Sequence, residues 1–197
     1  MIPDAPAPSR SVALIGMPGC GKSTIGRQLA RLRQSSFVDA DHEIERRLGI
    51  SIREFFAREG EAAFRDLESD VLRELIDSSQ GTGRVIATGG GAVLRPANRH
   101  ALRAGAIVVY LKAHPDDLAR RLSRDTHRPL LQVSDPRQRL RDLFSERDPL
   151  YRQTAHVLVD TARKSAATIV HLVAMQLEMM PAADGAPDAG HDDHHRS

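Results

Sequence analysis

A glycine-rich run near the start of the chain carries the strongest chemical signal in the sequence. Residues 16–23 read GMPGCGKS, which fits the pattern G-x-x-x-x-G-K-[ST]. The apolar run 12–15 precedes it, and helix-forming residues from Thr24 to Leu32 follow it. A strand, a glycine-rich turn and a helix in this order form a P-loop, whose backbone N–H groups and helix N-terminus bind phosphate. The sequence therefore predicts a site for a nucleoside triphosphate rather than a plain glycine-rich turn.

The residues expected to bind the nucleotide phosphates are consecutive. Lys22 would place its charge near the β- and γ-phosphates, and the hydroxyl of Ser23 is a ligand for Mg²⁺. Glycines let the backbone curl so that successive N–H groups point at the anion. The predicted phosphate-binding set is Gly19, Cys20, Gly21, Lys22, Ser23 and Thr24.

Two carboxylates follow the second predicted strand. Residues 37–41 read FVDAD, and side chains two apart on an extended chain share a face. Asp39 and Asp41 should therefore lie together at the carboxyl end of a parallel strand, where ligands bind in open α/β sheets. We expect Asp39 to help hold Mg²⁺ and Asp41 to accept a hydrogen bond from a substrate hydroxyl. The alternative for Asp41 is the N-cap of the next helix.

Three further segments hold candidates with two interpretations each. The triplet GGG at 89–91 follows the third predicted strand, and it predicts either close backbone approach to an anion or a flexible loop. Arg65 and Glu68 are three residues apart on a helix, which taken alone favours a surface ion pair. Arg147 stands near the predicted end of another helix, so it could bind a ligand or cap the last carbonyls.

Strand-like and helix-like segments alternate along the chain, and the clearest helix covers Glu61 to Asp77. This alternation predicts an α/β fold of three layers, α/β/α, with a five-stranded parallel sheet. The predicted strands are Val12–Ile15, Phe37–Asp39, Val85–Thr88, Ile107–Leu111 and Val157–Val159.

An arginine-rich stretch follows the fourth predicted strand. Residues 115–149 show no strand pattern, and THRP at 126–129 interrupts them, since a residue before proline avoids helix. A helix, a break and a second helix predict a mobile lid over about 115–136, with an ordinary helical hairpin as the alternative.

Composition limits the classes of protein. A chain of 197 residues with 41% hydrophobic residues predicts one folded domain, which we place at 11–180. Residues 1–10 and the acidic, histidine-rich 181–197 should be a disordered arm and tail, although tail histidines could bind a metal. One cysteine and no long apolar segment predict a cytoplasmic protein with no membrane partner. No basic run carries aromatics, which argues against nucleic acid.

Taken together, these segments resemble the shikimate kinase family over about residues 11–175. The P-loop alone could belong to many kinases, but the full set in this order is more specific. The matching stretches are GMPGCGKSTIG at 16–26, VDADHEIE at 38–45, GISIREFFAREGEAAFRDLE at 49–68, ATGGGAVL at 87–94, VVYL at 108–111, RPLL at 128–131 and RDPLY at 147–151.

The resemblance implies a P-loop kinase fold with a helical lid, and it implies ATP- and Mg²⁺-dependent phosphorylation of the 3-hydroxyl of shikimate, in the pathway to chorismate and aromatic amino acids. Asp41 would bind the substrate hydroxyls, and Arg128 on the lid would reach the transferring phosphoryl group. Arg121 and the loop that holds Lys164 would lie beside the adenine. The groups implied at the substrate carboxylate are Arg65, Arg147, Gly89, Gly90 and Gly91.

The resemblance leaves two rival functions to separate. Another small-molecule kinase, acting on gluconate or a nucleoside monophosphate, would share the P-loop and lid. A nucleotide-dependent switch would bind ATP or GTP without an acceptor, although the chain lacks a guanine-reading N-K-x-D stretch. Paired arginines favour a compact carboxylate as the acceptor, and we expect a monomer.

Overall fold

The computed structural model describes residues 10–79, 83–122 and 135–180. The predicted arm (except residue 10), the middle of the predicted lid with Arg128, and the predicted tail lie outside the described residues. Among the described residues, no helix is both long and apolar enough to cross a bilayer.

Five parallel strands form one sheet in the order β2-β3-β1-β4-β5. Each lies where the sequence predicts it, and the boundaries differ by at most one residue at the carboxyl end. The predicted parallel α/β sheet is therefore confirmed. The strands are β1 Val12–Ile15, β2 Phe37–Asp39, β3 Val85–Ala87, β4 Ile107–Lys112 and β5 Val157–Asp160.

The helices connect these strands, and the described residues include two helices in each of the β2–β3 and β4–β5 connections. Gly60 breaks the third helix with a φ of +81°, just before Glu61, where the clearest predicted helix begins. The helices of the described residues are α1 Lys22–Leu32, α2 Ala40–Leu48, α3 Ile52–Asp77, α4 Pro96–Gly105, α5 Pro115–Leu122, α6 Pro136–Thr154 and α7 Ala166–Glu178.

The direction of the connections places the helices on two faces of the sheet. From β1 the chain moves outward to β2, whereas later connections lead back through β3 to β4 and β5. Because crossovers between parallel strands are right-handed, this reversal puts α1 on one face and α2 to α6 on the other. Helix α7 packs against α1 and so completes the first face. The result is the predicted three-layer fold.

The reversal also locates the ligand crevice. Ligands in open α/β sheets bind beyond the carboxyl ends of the strands where the connection changes direction, which here is the end of β1. All four residues of β1 are fully buried, as expected for a central parallel strand covered on both faces. The P-loop begins directly after this strand, so the core fixes its position.

Candidate active site

The P-loop forms an anion-binding turn at the end of β1. Gly21, with a φ of +100°, stands as the N-cap of α1, and no side chain caps that helix. The backbone N–H groups of its first turn are therefore available to an anion, and the helix dipole favours negative charge there. Cys20 is buried, and its Sγ lies against Gly16, where an added Cβ would stand 3.0 Å from it. Thr24 is exposed in the first turn.

The side chain of Lys22 folds back onto the P-loop. Its Nζ donates to the carbonyl oxygens of Gly16 and Met17, at 2.8 and 3.1 Å. The side chain is about nine-tenths buried, and the two carbonyls satisfy an ammonium group that would otherwise be costly to bury. The ammonium therefore sits at the rim of the turn, close to where a phosphate chain would bind.

Ser23 and Asp39 meet where a metal ion would be expected. Ser23 Oγ donates to Asp39 Oδ2 at 2.5 Å, and Asp39 Oδ1 accepts from the backbone N–H of Asp41 at 3.1 Å. Asp39 is thus the N-cap of α2. A hydroxyl beside a carboxylate is the hard oxygen set that Mg²⁺ prefers, so these residues fit that ion.

The structure corrects the reasoning for Asp41. The chain is not extended there, because β2 ends at Asp39 and α2 begins at Ala40. Asp41 therefore lies in the first turn of the helix, and the N-cap alternative for Asp41 was wrong. Its carboxylate still lies at the crevice, since a Cβ on Gly89 would stand 2.8 Å from Asp41 Oδ1.

The glycine triplet after β3 is a buried, hydrogen-bonded turn rather than a flexible loop. The N–H of Ala92 donates to the carbonyl of Gly89 at 3.2 Å, and the N–H of Leu94 donates to Gly91 at 2.9 Å. A Cβ on Gly90 would stand 2.7 Å from Pro18 Cγ of the P-loop. Glycine is required because this turn contacts the P-loop directly. The contact joins the candidate phosphate site to the 89–91 turn.

Arg65 and Glu68 form the predicted ion pair, but the pair is not on the surface. Arg65 Nη1 donates to Glu68 Oε2 at 2.7 Å, and Glu68 is only 3% exposed. Burial raises the pKa of Glu68, although the charge of Arg65 opposes that shift. A Cβ on Gly89 would stand 2.6 Å from Glu68 Oε1, so this carboxylate lies beside the triplet and Asp41.

Arg147 also lies at the triplet. Helix α6 continues through Pro149 to Thr154, so the interpretation of Arg147 as a C-terminal cap was wrong. Arg103 of α4 has that role, since its Nη1 donates to the last carbonyls of α6 at 3.0 to 3.2 Å.

Arg147 is 94% buried and donates from Nη1 to the Gly90 carbonyl at 3.2 Å. Its Nε is buried without a hydrogen-bond partner among the described residues. A buried guanidinium that has no ion pair among the described residues suits an anionic ligand.

The adenine-side candidates remain predictions. Arg121 is exposed on the last turn of α5, and Lys164 follows β5 with its Nζ 3.4 Å from the Ala162 carbonyl. Neither side chain contacts the cluster around the triplet, which comprises Asp41, Arg65, Glu68, Arg147 and Tyr151. Arg128 lies outside the described residues.

Sequence reasoning missed two residues of this cluster. Glu68 was interpreted only as a surface partner, and Tyr151, whose hydroxyl donates to Gly90, was given no role. The spacing of Arg147 and Tyr151, one helical turn apart, was the available signal for the second residue.

Comparison with known proteins supports the family resemblance seen in the sequence. A family model described as shikimate kinase matches residues 18–178. A shikimate kinase of Paracidovorax citrulli is 54% identical over 173 residues, which cover 87% of this chain and 94% of that protein.

Among solved structures, shikimate kinase from Acinetobacter baumannii in complex with shikimate has 42% identity and a TM-score of 0.82. The match covers 86% of this chain and 93% of that one. A gluconokinase from Sinorhizobium meliloti has 20% identity and a TM-score of 0.53 over 86% and 91% of the two chains, so it shares the fold alone. The family match, the relatives and the buried arginine beside a P-loop agree, and the chain belongs to the shikimate kinase family.

Proposed function

We propose that this chain transfers the γ-phosphoryl group of ATP to the 3-hydroxyl of shikimate, on the pathway to chorismate. The observation that carries the proposal is Arg147, a buried guanidinium that donates to the glycine triplet. It has no ion pair with any described residue, whereas Arg65 is paired with Glu68. A compact carboxylic acid supplies the missing negative charge and accepts planar, two-pronged donors.

The P-loop and the glycine triplet lie close enough together to suit a small acceptor. The Gly90 turn packs on Pro18, so a ligand held at the triplet lies immediately beside the phosphate-binding loop. An acceptor hydroxyl directed toward that loop would approach the γ-phosphoryl group without a domain movement. This arrangement supports direct transfer between two bound ligands and makes the binding-only switch a weaker alternative.

Lys22, Ser23 and Asp39 would act on the nucleotide. Ser23 and Asp39 would hold Mg²⁺, which supplies charge neutralisation at the β- and γ-phosphates when bound. Lys22 would exchange its loop carbonyls for phosphate oxygens, so that its charge stabilises the transferring group. By family resemblance, Arg128 would act on the same group, with Arg121 and Lys164 beside the adenine.

Asp41 would orient the attacking hydroxyl. Its carboxylate lies against Gly89, near Glu68 and within reach of the space between the triplet and the P-loop. Phosphoryl transfer passes through a loose transition state, so positioning matters more than early deprotonation. Asp41 would accept the hydrogen bond of the 3-hydroxyl and take its proton late in the transfer.

We further propose that the protein acts as a cytoplasmic monomer on small molecules, without nucleic-acid or membrane partners. Its one cysteine, which is buried, supports a reducing compartment.

The direct test is release of ADP from ATP and Mg²⁺ with shikimate, gluconate or AMP as the acceptor. We expect release only with shikimate, together with a phosphorylated product at the 3-hydroxyl. Release with gluconate or AMP would refute the substrate while keeping the fold. ATP binding without release in any arm would refute the kinase activity itself.

A further inference from the structure

Tyr151 lies one turn beyond Arg147 on α6, so the two side chains share a face of that helix. The Tyr151 hydroxyl donates to the Gly90 carbonyl oxygen at 2.6 Å. Arg147 Nη1 donates to the same oxygen at 3.2 Å. Both lone pairs of one carbonyl are therefore occupied from α6, and the tyrosine makes the shorter bond.

The Tyr151 ring is held in place. It is fully buried and stacks on Tyr110 of β4, with ring centroids 5.0 Å apart and an angle of 28° between the planes. Tyr110 in turn donates to Asp148 Oδ1 at 2.8 Å. Burial raises the pKa of Tyr151 well above its usual value, so its hydroxyl remains a donor at all working pH values.

The peptide that Tyr151 holds is the one between Gly90 and Gly91. A carbonyl and the following N–H point in opposite directions from one rigid plane. Tying the Gly90 oxygen to α6 therefore turns the Gly91 N–H away from α6. The Arg65 guanidinium lies against Gly91, at a place where a Cβ would overlap it. Arg65 and the two donors of α6 therefore contact neighbouring residues of the triplet.

We propose that Tyr151 is a positioning residue for the substrate carboxylate, a role that rests on the proposed function. Its hydroxyl fixes the Gly90–Gly91 peptide so that the Gly91 N–H faces the carboxylate. It also shares the Gly90 oxygen with Arg147 Nη1, and so it helps to fix that guanidinium relative to the triplet. Without the hydroxyl, Arg147 is the remaining described side-chain donor to Gly90, and the peptide can rotate.

The test compares Tyr151→Phe with Tyr110→Phe. Each variant loses one buried hydroxyl and keeps its ring in the same stacked pair, but only Tyr151 bonds to the triplet. We expect Tyr151→Phe to raise the KM for shikimate about five- to tenfold, the size of one lost hydrogen bond, and to leave the KM for ATP within about twofold. Tyr110→Phe should leave both KM values within about twofold, although both variants lower the Tm.

A calorimetric titration of shikimate without nucleotide gives a second measurement, and it should show the same weakening in Tyr151→Phe alone. An unchanged KM for shikimate in Tyr151→Phe, or an equal rise in both variants, would overturn the positioning role while the proposed function stands. Wild-type protein that releases no ADP with shikimate would refute the proposed function, and the positioning role would fall with it.

Discussion

The proposed phosphate half and the proposed acceptor half of the site are built in different ways. The phosphate half covers the consecutive residues 16–24 and presents mainly backbone N–H groups at the start of α1. The acceptor half is assembled from side chains and one turn that lie far apart in the chain. Its members are Asp41 of α2, Arg65 and Glu68 of α3, the 89–91 turn, and Arg147 and Tyr151 of α6.

This difference determines which substitutions impair ligand binding in each half. Backbone donors depend on the local conformation, so the phosphate half depends on its glycines and on one lysine. The acceptor half depends on charge and on the packing of separate helices, and a substitution there changes affinity for one class of ligand. Because each half is built from its own residues and Gly90 packs on Pro18 where they meet, most substitutions should affect one ligand and spare the other.

The largest expected effect is at Lys22. Lys22→Met removes the charge that would stabilise the transferring phosphoryl group, and we expect kcat to fall about 10²- to 10³-fold. Calorimetric binding of shikimate without nucleotide should remain within about twofold of wild type, since the carboxylate site is separate. A large loss of shikimate affinity in this variant would contradict the separation of the two halves.

Arg147→Lys tests the acceptor half. Lysine keeps the charge but has no planar fork, so it cannot hold both Gly90 and a carboxylate as arginine does. We expect the KM for shikimate to rise about 30-fold or more, as for a lost charge-assisted hydrogen bond, with the KM for ATP nearly unchanged. Steady-state kinetics measure both values. An equal rise in the two KM values would show that Arg147 acts through the general fold instead.

Gly90→Ala should affect both halves at once. The added methyl group would stand 2.7 Å from Pro18 Cγ, so the turn or the P-loop must shift. We expect kcat/KM to fall about tenfold for shikimate and for ATP, since small misplacements in a site are costly.

A glycine outside the site gives the control for Gly90. Gly49→Ala alters the left-handed C-cap of α2, where φ is +67° and the space is open. It should lower the Tm without changing either KM. A Gly90→Ala variant with wild-type kinetics would show that activity does not depend on the contact between Gly90 and Pro18.

The smallest effect expected is on stability, far from the site. His156 Nδ1 accepts from the backbone N–H of Val108 at 2.9 Å, and burial, helped by Arg103, lowers the pKa of the imidazole. The folded protein therefore resists protonation while the unfolded chain accepts a proton, so stability falls as pH drops below about 6.5.

Thermal unfolding at pH 7.5 and 5.5 checks this expectation. His156→Gln should lose part of the fall in Tm that the wild type shows between these values. His100→Gln, a change at an exposed histidine, is the matched control and should keep the full fall. The same pH dependence in all three proteins would exclude His156 as its source.

Local patterns predicted the sheet and the local structure of the P-loop well. The five strands are short apolar runs between turn residues, and the P-loop is one continuous motif. Both therefore depend on residues that are adjacent in the sequence. The kink at Gly60 shows the limit of such patterns. Apolar periodicity follows the straight part of α3 and cannot report that a second helical segment precedes the glycine.

The acceptor half was predicted less completely, because tertiary packing decides which charges are buried. The spacing of Arg65 and Glu68 is the same for a surface pair and for a buried one, and here the 89–91 turn packs against both side chains. Similarly, the helix around Arg147 continues beyond Pro149 because packing outweighs the local preference for a break. The resemblance pointed to both arginines, but the residues that position them needed the fold.

The central claim is that buried arginine donors at the glycine triplet bind the carboxylate of shikimate. The most direct measurement compares shikimate with its methyl ester, which removes the negative charge, in wild type and in Arg147→Ala. We predict that the ester lowers kcat/KM about 10²-fold in wild type, as when a charged partner of a buried guanidinium is lost, and only a few-fold in Arg147→Ala. An equal penalty for the ester in both proteins would contradict the account, because the carboxylate would then be bound elsewhere.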